Sequence, residues 1–412
     1  MSDRPRVVIT GIGPVTPVGI GVDDFWAGLT SGRNGVRTIT NFDASDLPVT
    51  VAGEVAGFEP SEHLDPKEVK RTDKYVHYAL ASARLAWADA GAPDVVSERG
   101  GVIFGTGIGG IQTLLSQHEV LLEKGPGRVS PFMVPMLMAN AAAGHIAMLY
   151  GLTGHNMATL SACASSNHAI GEGMRLIRGG YLDLAVVGGS EAATIPLTVA
   201  AFAQMTALTK NPDPESASRP FDADRNGFVL SEGGATMILE SEEHARARGA
   251  RIYAEVAGYG ASDDAHHITA PDPKGSGAAL AMRWALQDAD AEPEDISYIN
   301  AHGTSTPLND AAETVAIKAA LGEEIAHEVA VSSTKSMTGH MLGAAGAVEG
   351  AACALAITHG IVPPTIHYAT PDPACDLNVT PNEARELNVT LALSNSFGFG
   401  GQNACVAFRA IR

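Results

Sequence analysis

Along this chain, short apolar runs that stop at glycine or small polar residues alternate with longer stretches whose apolar positions recur every three or four residues. The first pattern is that of buried strands, the second that of helices with one covered face. The runs predict strands over Val7–Gly13, Gly101–Gly105, Leu182–Gly189 and Ala235–Glu240. A second round follows over Arg251–Gly258, Ile296–Ala301, Glu328–Ser333, Leu391–Phe397 and Ala404–Phe408. Helices are expected at Asp23–Leu29, Thr72–Ala90, Gly277–Ala289, Pro307–Leu321 and Met341–His359. In Thr72–Ala90, Val76, Leu80, Ala83 and Trp87 share one face, and Gly91 ends the pattern. Another helix follows Cys163 and runs through Met174, Leu176 and Ile177 to a stop at Gly179-Gly180. Residues 33–60 read as turns and mixed strands, and residues 194–227 as a loop-rich excursion. The charged segment Ser241–Gly249 reads as a helix end bridging two halves, 1–249 and 250–412. Strands and helices alternating twice over predict an α/β protein with two mainly parallel sheets. The order of elements repeats; the residues do not.

Composition narrows the class. At 412 residues the chain suits two domains, or one large domain built from two halves. With 45% hydrophobic residues, 45 glycines and 5% aromatics, it fits a globular protein whose backbones approach closely. A net charge of −19 argues against nucleic acid or an anionic membrane as the main partner. The polar stretch Met1–Arg6 leads straight into a strand, so no signal peptide is expected, and no apolar run is expected to reach the roughly 18 residues that span a bilayer. Cys163, Cys353, Cys375 and Cys405 are scattered without a zinc spacing, which with the large, disulfide-poor chain points to the cytoplasm. Adjacent strand residues face opposite ways, so His266-His267 is a poor chelate and reads as a loop pair.

Three stretches share one form, an apolar run followed by an abrupt polar or glycine-rich turn. The first is Leu160-Ser161-Ala162-Cys163-Ala164-Ser165-Ser166, where Cys163 sits beside a helix N-terminus. Unpaired N–H groups and the helix dipole there favour a thiolate. Taken alone, Cys163 reads equally as a buried structural thiol. The second is Asn300-Ala301-His302-Gly303-Thr304-Ser305-Thr306-Pro307, and the third Ser332-Ser333-Thr334-Lys335-Ser336-Met337-Thr338-Gly339-His340. Singly, each histidine is more often a core or loop residue and Lys335 a surface lysine. Together at strand ends, where α/β folds collect ligands, they form a candidate site. Thr106-Gly107-Ile108-Gly109-Gly110 imitates a dinucleotide loop but lacks an acidic ribose partner, so its glycines instead allow a close approach of chain or substrate.

These motifs resemble the Cys-His-His set of the elongating β-ketoacyl-acyl carrier protein synthases, over essentially the whole chain from Val7 to Phe408. Asn395-Ser396-Phe397-Gly398-Phe399-Gly400-Gly401 and Ala217-Ser218-Arg219-Pro220-Phe221-Asp222 also match. The resemblance implies a thiolase-like αβαβα sandwich of two similar halves. It also implies a homodimer, or a heterodimer with a chain-length factor, acting on an acyl carrier protein without cofactor or metal. By the same matching, Cys163 would carry the acyl group, His302 and His340 would stabilise an enolate, and Lys335 would orient and polarise the site. Phe399 resembles a gate, and the amides of Cys163 and Phe399 an oxyanion hole. Thr304 and Thr306 would bind the phosphopantetheine arm. Gly107, Ile108, Phe202 and Gly400 would line or border the substrate site, with Phe132 or Met133 arriving from a partner subunit. Asp310 and Glu313 would hold the Lys335 region electrostatically, and Glu349 would belong to a buried ion site or a paired core carboxylate. Lys67, Lys70, Arg71, Arg128 and Lys210 would dock an acidic carrier.

Four positions depart from the common pattern: Asn309 for glycine, Gln402 for Thr or His, Asn226 for an acid and Ser231 for glycine. Asn309 is expected to keep its turn through left-handed φ. The departures leave open a fatty acid enzyme or a ketosynthase of a type II polyketide or polyene pathway. A thiolase would carry a second cysteine in place of His340 and a starter-condensing relative an asparagine. A non-enzymatic chain-length factor would lack Cys163.

Overall fold

The computed structural model describes residues 4–411. Ten strands form the body. They are β1 (Val7–Thr16), β2 (Gly100–Gly105), β3 (Asn156–Thr159), β4 (Leu184–Glu191) and β5 (Gly233–Ser241), then β6 (Ala254–Asp263), β7 (Tyr298–Asn300), β8 (Ala330–Ser332), β9 (Leu391–Phe397) and β10 (Gln402–Arg409). They run in the order β8-β7-β9-β10-β6-β1-β5-β4-β2-β3, with Gly19–Ile20 paired off β1 as an eleventh strand. From the β1/β6 join outward, each set of five follows one order: first, fifth, fourth, second, third.

Two expectations change. The ladder is continuous, because β1 and β6 pair through Val8↔Glu255 and Ile9↔Ala254. The fifth strand of each set is also antiparallel to both neighbours, while the outer pairs are parallel. An apolar run does not encode strand direction. Connection does: β9 returns into β10 through the short turn Gly398–Gly401, and a turn that short joins only antiparallel neighbours.

Five helices complete the layers: α1 (Lys74–Asp89), α2 (Ser165–Arg178), α3 (Ser276–Asp288), α4 (Pro307–Leu321) and α5 (Ala345–His359). α1 packs on β1 and β5, while α3 packs on β6 and β10 and against α4. α2 and α5 touch each other and strands of both sets, giving the αβαβα order. α5 has no polar stripe, since every residue from Ala345 to Ala356 is buried. With its preceding turn it forms an 18-residue stretch, Leu342–His359, apolar and long enough by composition to cross a membrane, against the sequence expectation. Its window is 83% buried inside the protein, as a central core helix requires.

The loop-rich excursion also contains a helix, Pro196–Gln204, opened by proline at its first position. Helices Ile111–Lys124 and Ala141–Tyr150 and strand β3 lie where the apolar pattern had marked nothing.

Candidate active site

From β3 the chain enters α2 through a 3₁₀ turn, Ala162–Ala164, with Ala162 at φ 49°. Ser165 fixes this entry: its Oγ accepts the Ser161 N–H at 2.9 Å and reaches Ala162 O at 2.7 Å. Cys163 is thereby held at the head of α2, buried and free of any disulfide. The loop between β9 and β10 closes over it. A Cβ at Gly398 would come within 2.6 Å of Ser161 O, and Gly400 and Gly401 take φ of 90° and 81°, so this approach needs glycine. The Phe399 N–H points at the Cys163 sulfur.

His302 follows β7. Glu313 on α4 accepts the N–H groups of His302 at 2.8 Å and Gly303 at 2.7 Å, clamping the turn. His340 is held in register by the bonds His340 N–H to Val229 O, 2.8 Å, and Ser231 N–H to His340 O, 3.0 Å. Ser231 Oγ adds a bond to Thr338 O at 2.7 Å. His340 Nε2 lies 3.1 Å from Cys163 Sγ. The ligating atoms of Cys163, His302 and His340 lie within 4.8 Å of one another, with the imidazole rings edge to face at 5.3 Å and 83°. Phe228 packs edge-on against His340 at 5.3 Å. Lys335 Nζ is 3.4 Å from His302 Nδ1 and forms an ion pair with Glu349.

Burial dominates the electrostatics. It pushes the Cys163 thiol up to about 12, against the Lys335 charge and the Phe399 N–H, which pull the other way. Burial thus opposes the thiolate expected from the helix N-terminus. Burial first, then the Lys335 charge, holds His302 and His340 well below the usual imidazole range, so both are neutral. Burial raises Glu313 to about 7 despite its two backbone donors, and raises Glu349 against Lys335.

A cavity of about 510 Å³ opens onto these groups. On one side of Cys163 it is lined by Gly107, Ile108, Phe202 and Leu342, and toward solvent by Thr304, Thr306, Asn226 and Asn309. Thr304 and Thr306 are joined through their hydroxyls at 2.9 Å. Phe399 lines the cavity; Gly400 does not, its N–H donating instead to Ile268 O at 2.7 Å.

The remaining expected residues separate. Phe132 and Met133 do not line the cavity of their own chain, and Phe132 lies exposed under Arg71 at 4.9 Å. Lys67, Lys70, Arg71, Arg128 and Lys210 are all exposed. Lys210 adjoins the mouth next to Thr209, whose hydroxyl bonds Asn226 at 2.6 Å; the other four border no part of the cavity. Asp310 and Glu313 do not touch Lys335. Asp310 accepts the N–H groups of Phe221, at 2.9 Å, and Thr304, and Lys335 is neutralised by Glu349. Asn309 needs no left-handed φ, because it sits in the first turn of α4. The strained residue of that loop is Ser305, φ 71°, whose hydroxyl accepts the Arg219 N–H at 2.9 Å. His266 and His267 lie exposed in a loop.

Two residues that work in the site were not anticipated. Arg225 donates to the carbonyls of Thr306 and Pro307, both at 3.2 Å, bracing Thr306, and lies 3.6 Å from the Asp310 carboxylate. Glu191 is fully buried behind the Gly107–Ile108 wall. Its only sequence signal was an acid ending an otherwise apolar strand.

This arrangement defines a condensing-enzyme site on a thiolase-like sandwich, and the chain belongs to the β-ketoacyl synthase family. Residues 4–245 match the model of the beta-ketoacyl synthase N-terminal domain and residues 253–369 that of the C-terminal domain. The chain is 51% identical over 410 residues to 3-oxoacyl-[acyl-carrier-protein] synthase 2 of Synechocystis sp., covering 99% of this chain and 98% of that one. Among solved structures it is similar to the ishigamide ketosynthase/chain length factor, with a TM-score of 0.93 and 39% identity over 99% of this chain and 100% of that one. It is also similar to a type II polyketide synthase ketosynthase in complex with its acyl-carrier protein and bound to the hexaketide, with a TM-score of 0.90, 36% identity and the same coverage.

Proposed function

We propose that this protein is an elongating β-ketoacyl-acyl carrier protein synthase, acting in the cytoplasm in type II fatty acid synthesis. It would join an acyl group held on Cys163 to the two-carbon unit left when malonyl-carrier loses carbon dioxide. The observation that carries this reading is the meeting of Cys163 Sγ, His302 and His340 within 4.8 Å at a cavity lined by paired threonines.

In the first half-reaction Cys163 attacks the acyl-carrier thioester. Burial disfavours a free thiolate and a free imidazolium alike, so the thiol proton passes to His340 Nε2, 3.1 Å away, as the carbon–sulfur bond forms. The carrier thiolate leaves and takes that proton. In the second, malonyl-carrier loses carbon dioxide and its thioester oxygen gains negative charge. Neutral His302 donates an N–H bond to that oxygen, and His340 does so through Nε2 once its ring has returned to the Nε2–H tautomer after loading, with Lys335 beside His302. The enolate carbon attacks the acyl carbonyl, whose oxyanion meets the amides of Cys163 and Phe399. That attack forms the carbon–carbon bond; collapse of the oxyanion then breaks the carbon–sulfur bond and expels the Cys163 thiolate, which takes a proton from solvent.

Thr304 and Thr306 hold the pantetheine arm, Gly107, Ile108 and Phe202 border the acyl chain, and Phe399 with its glycine neighbour Gly400 gates it. Phe132 or Met133 reaches the partner subunit's pocket in a homodimer, and Lys67, Lys70, Arg71, Arg128 and Lys210 dock the carrier. The division near residue 250 is supported by the gap between the two family matches. A second reading, a polyketide ketosynthase paired with a chain-length factor, draws on the likeness to the ishigamide system. Incubation with malonyl-carrier and acyl-carriers tests both. Saturated starters extended by two carbons support the first reading, exclusive use of polyenoyl starters the second, and no condensation product with any starter contradicts both.

A further inference from the structure

Glu191 ends β4 with a carboxylate that is entirely buried and takes no part in the steps above. One oxygen accepts the N–H of Gly107 at 2.7 Å and that of Gly343 at 3.1 Å, and the other accepts the Thr106 hydroxyl at 3.2 Å. The Ile108 N–H also points at it. These donors come from two separate chain segments, the turn after β2 and the entry to α5. Each segment puts one apolar side chain into the cavity, Ile108 from the first and Leu342 from the second. The contact is tight: a Cβ at Gly107 would sit 2.8 Å from the same carboxylate oxygen, and one at Gly343 would run into the Gly107 amide. Among the described residues no cation pairs with Glu191; its hydrogen-bond partners there are backbone amides and one hydroxyl.

We propose that Glu191 is a positioning residue for acyl-chain selection: by drawing the Gly107–Ile108 turn back onto the head of α5, it keeps Ile108 out of the path of a long acyl group. This rests on the reading of Cys163 as the acyl carrier. A short acyl group stops before Ile108, so its loading depends little on where that side chain stands. A long one has to pass it. Releasing the turn lets it settle into the cavity and shortens the usable depth.

The test is the rate of Cys163 loading by short-, medium- and long-chain acyl-carrier thioesters, followed by intact-protein mass for the wild type and Glu191→Gln. An amide keeps the shape but presents N–H to N–H. Long-chain loading is expected to fall about 10-fold, the cost of one hydrogen bond to a charged group, with short-chain loading nearly unchanged. Adding Ile108→Ala to Glu191→Gln should restore long-chain loading, which relief of a merely structural defect would not do. An equal change at every length is what removal of a nearby charge from Cys163 would give, and it overturns the proposal, as does no change. If Glu191→Gln does not fold, Thr106→Val, which removes the hydroxyl that donates to the same carboxylate and does not line the cavity, decides by the same length profile. If the wild type is not acylated by any thioester, the reading of Cys163 fails instead, and the two failures are distinguishable.

Discussion

The heads of α2 and α5 are built alike. Each is entered through a 3₁₀ turn, Ala162–Ala164 and Leu342–Ala344, whose first residue has positive φ, 49° at Ala162 and 46° at Leu342. In both, the next residue presents its amide toward a point where negative charge is favoured. The occupants differ. At the first turn that residue is Cys163, with the Phe399 N–H and His340 beside its sulfur and a cavity in front. At the second it is Gly343, whose amide is already bonded to Glu191 and whose position admits no side chain. One backbone device therefore serves two ends. Left open, it borders the cavity; filled by the protein's own carboxylate, it becomes a structural joint.

The comparison breaks most sharply at His302 and His340, whose rings meet Cys163 at the open head. His302→Ala and His340→Ala should each slow condensation about 100- to 1000-fold, the usual cost of one oxyanion donor. His340→Ala should also slow acyl loading, because its Nε2 touches Sγ; His302→Ala should leave loading near wild type. Equal effects of the two variants on loading, read by single-turnover mass measurements, would contradict the assignment of the thiol proton to His340.

Methyl-sized substitutions at the two heads sharpen it further. Gly343→Ala forces a Cβ against the Gly107 amide and should cost about 3 kcal/mol of stability, the upper range for overpacking. Cys163→Ala, at the matching position, removes one sulfur beside a cavity and should cost about 1 kcal/mol or less. Denaturant titration of the two variants compares them directly.

A smaller effect appears in pH. The histidine pair is held well below its ordinary range, so as pH falls through about 6.5 only the unfolded chain takes up those protons and stability is lost. Glu191 and Glu313, raised to about 7, act oppositely: their contribution is fully present below about 4.5 and lost as pH rises to about 7. Glu313→Gln should therefore lose less stability than the wild type between about pH 5 and 7. The condensation rate should show no inflection at about 6.5, since the imidazoles stay neutral there. The smallest effect lies at the surface: Lys210→Glu should raise the KM for carrier by a few-fold, about 1 kcal/mol, and more at low salt than at high.

Cys163 and both histidines could be singled out in the sequence because each follows an apolar run that breaks into a polar turn, a local signal; the roles proposed for them come from the family resemblance. Pro307–Leu321 was legible to the residue for the same reason, with proline at one end and glycine beyond the other. What the sequence hides is non-local. Strand direction in β5 and β10 depends on connections rather than on apolar content. The join of β1 to β6 rests on two residue pairs. Pro196–Gln204 lies in a stretch whose flanking turn formers mask its helical spacing. Asp310 and Glu313 were placed near the right loop but assigned the wrong partner. Glu313, like Glu191, binds backbone amides and leaves no complementary charge to find, whereas Asp310 has its cation, Arg225, 3.6 Å away but distant along the chain.

The central claim is that the open head carries the acyl group. Intact mass after incubation with an acyl-carrier thioester tests it most directly. The account predicts one acyl increment per chain in the wild type, mapped to Cys163, and none in Cys163→Ala. The same increment surviving in Cys163→Ala, or mapping to Cys353, Cys375 or Cys405, would contradict it.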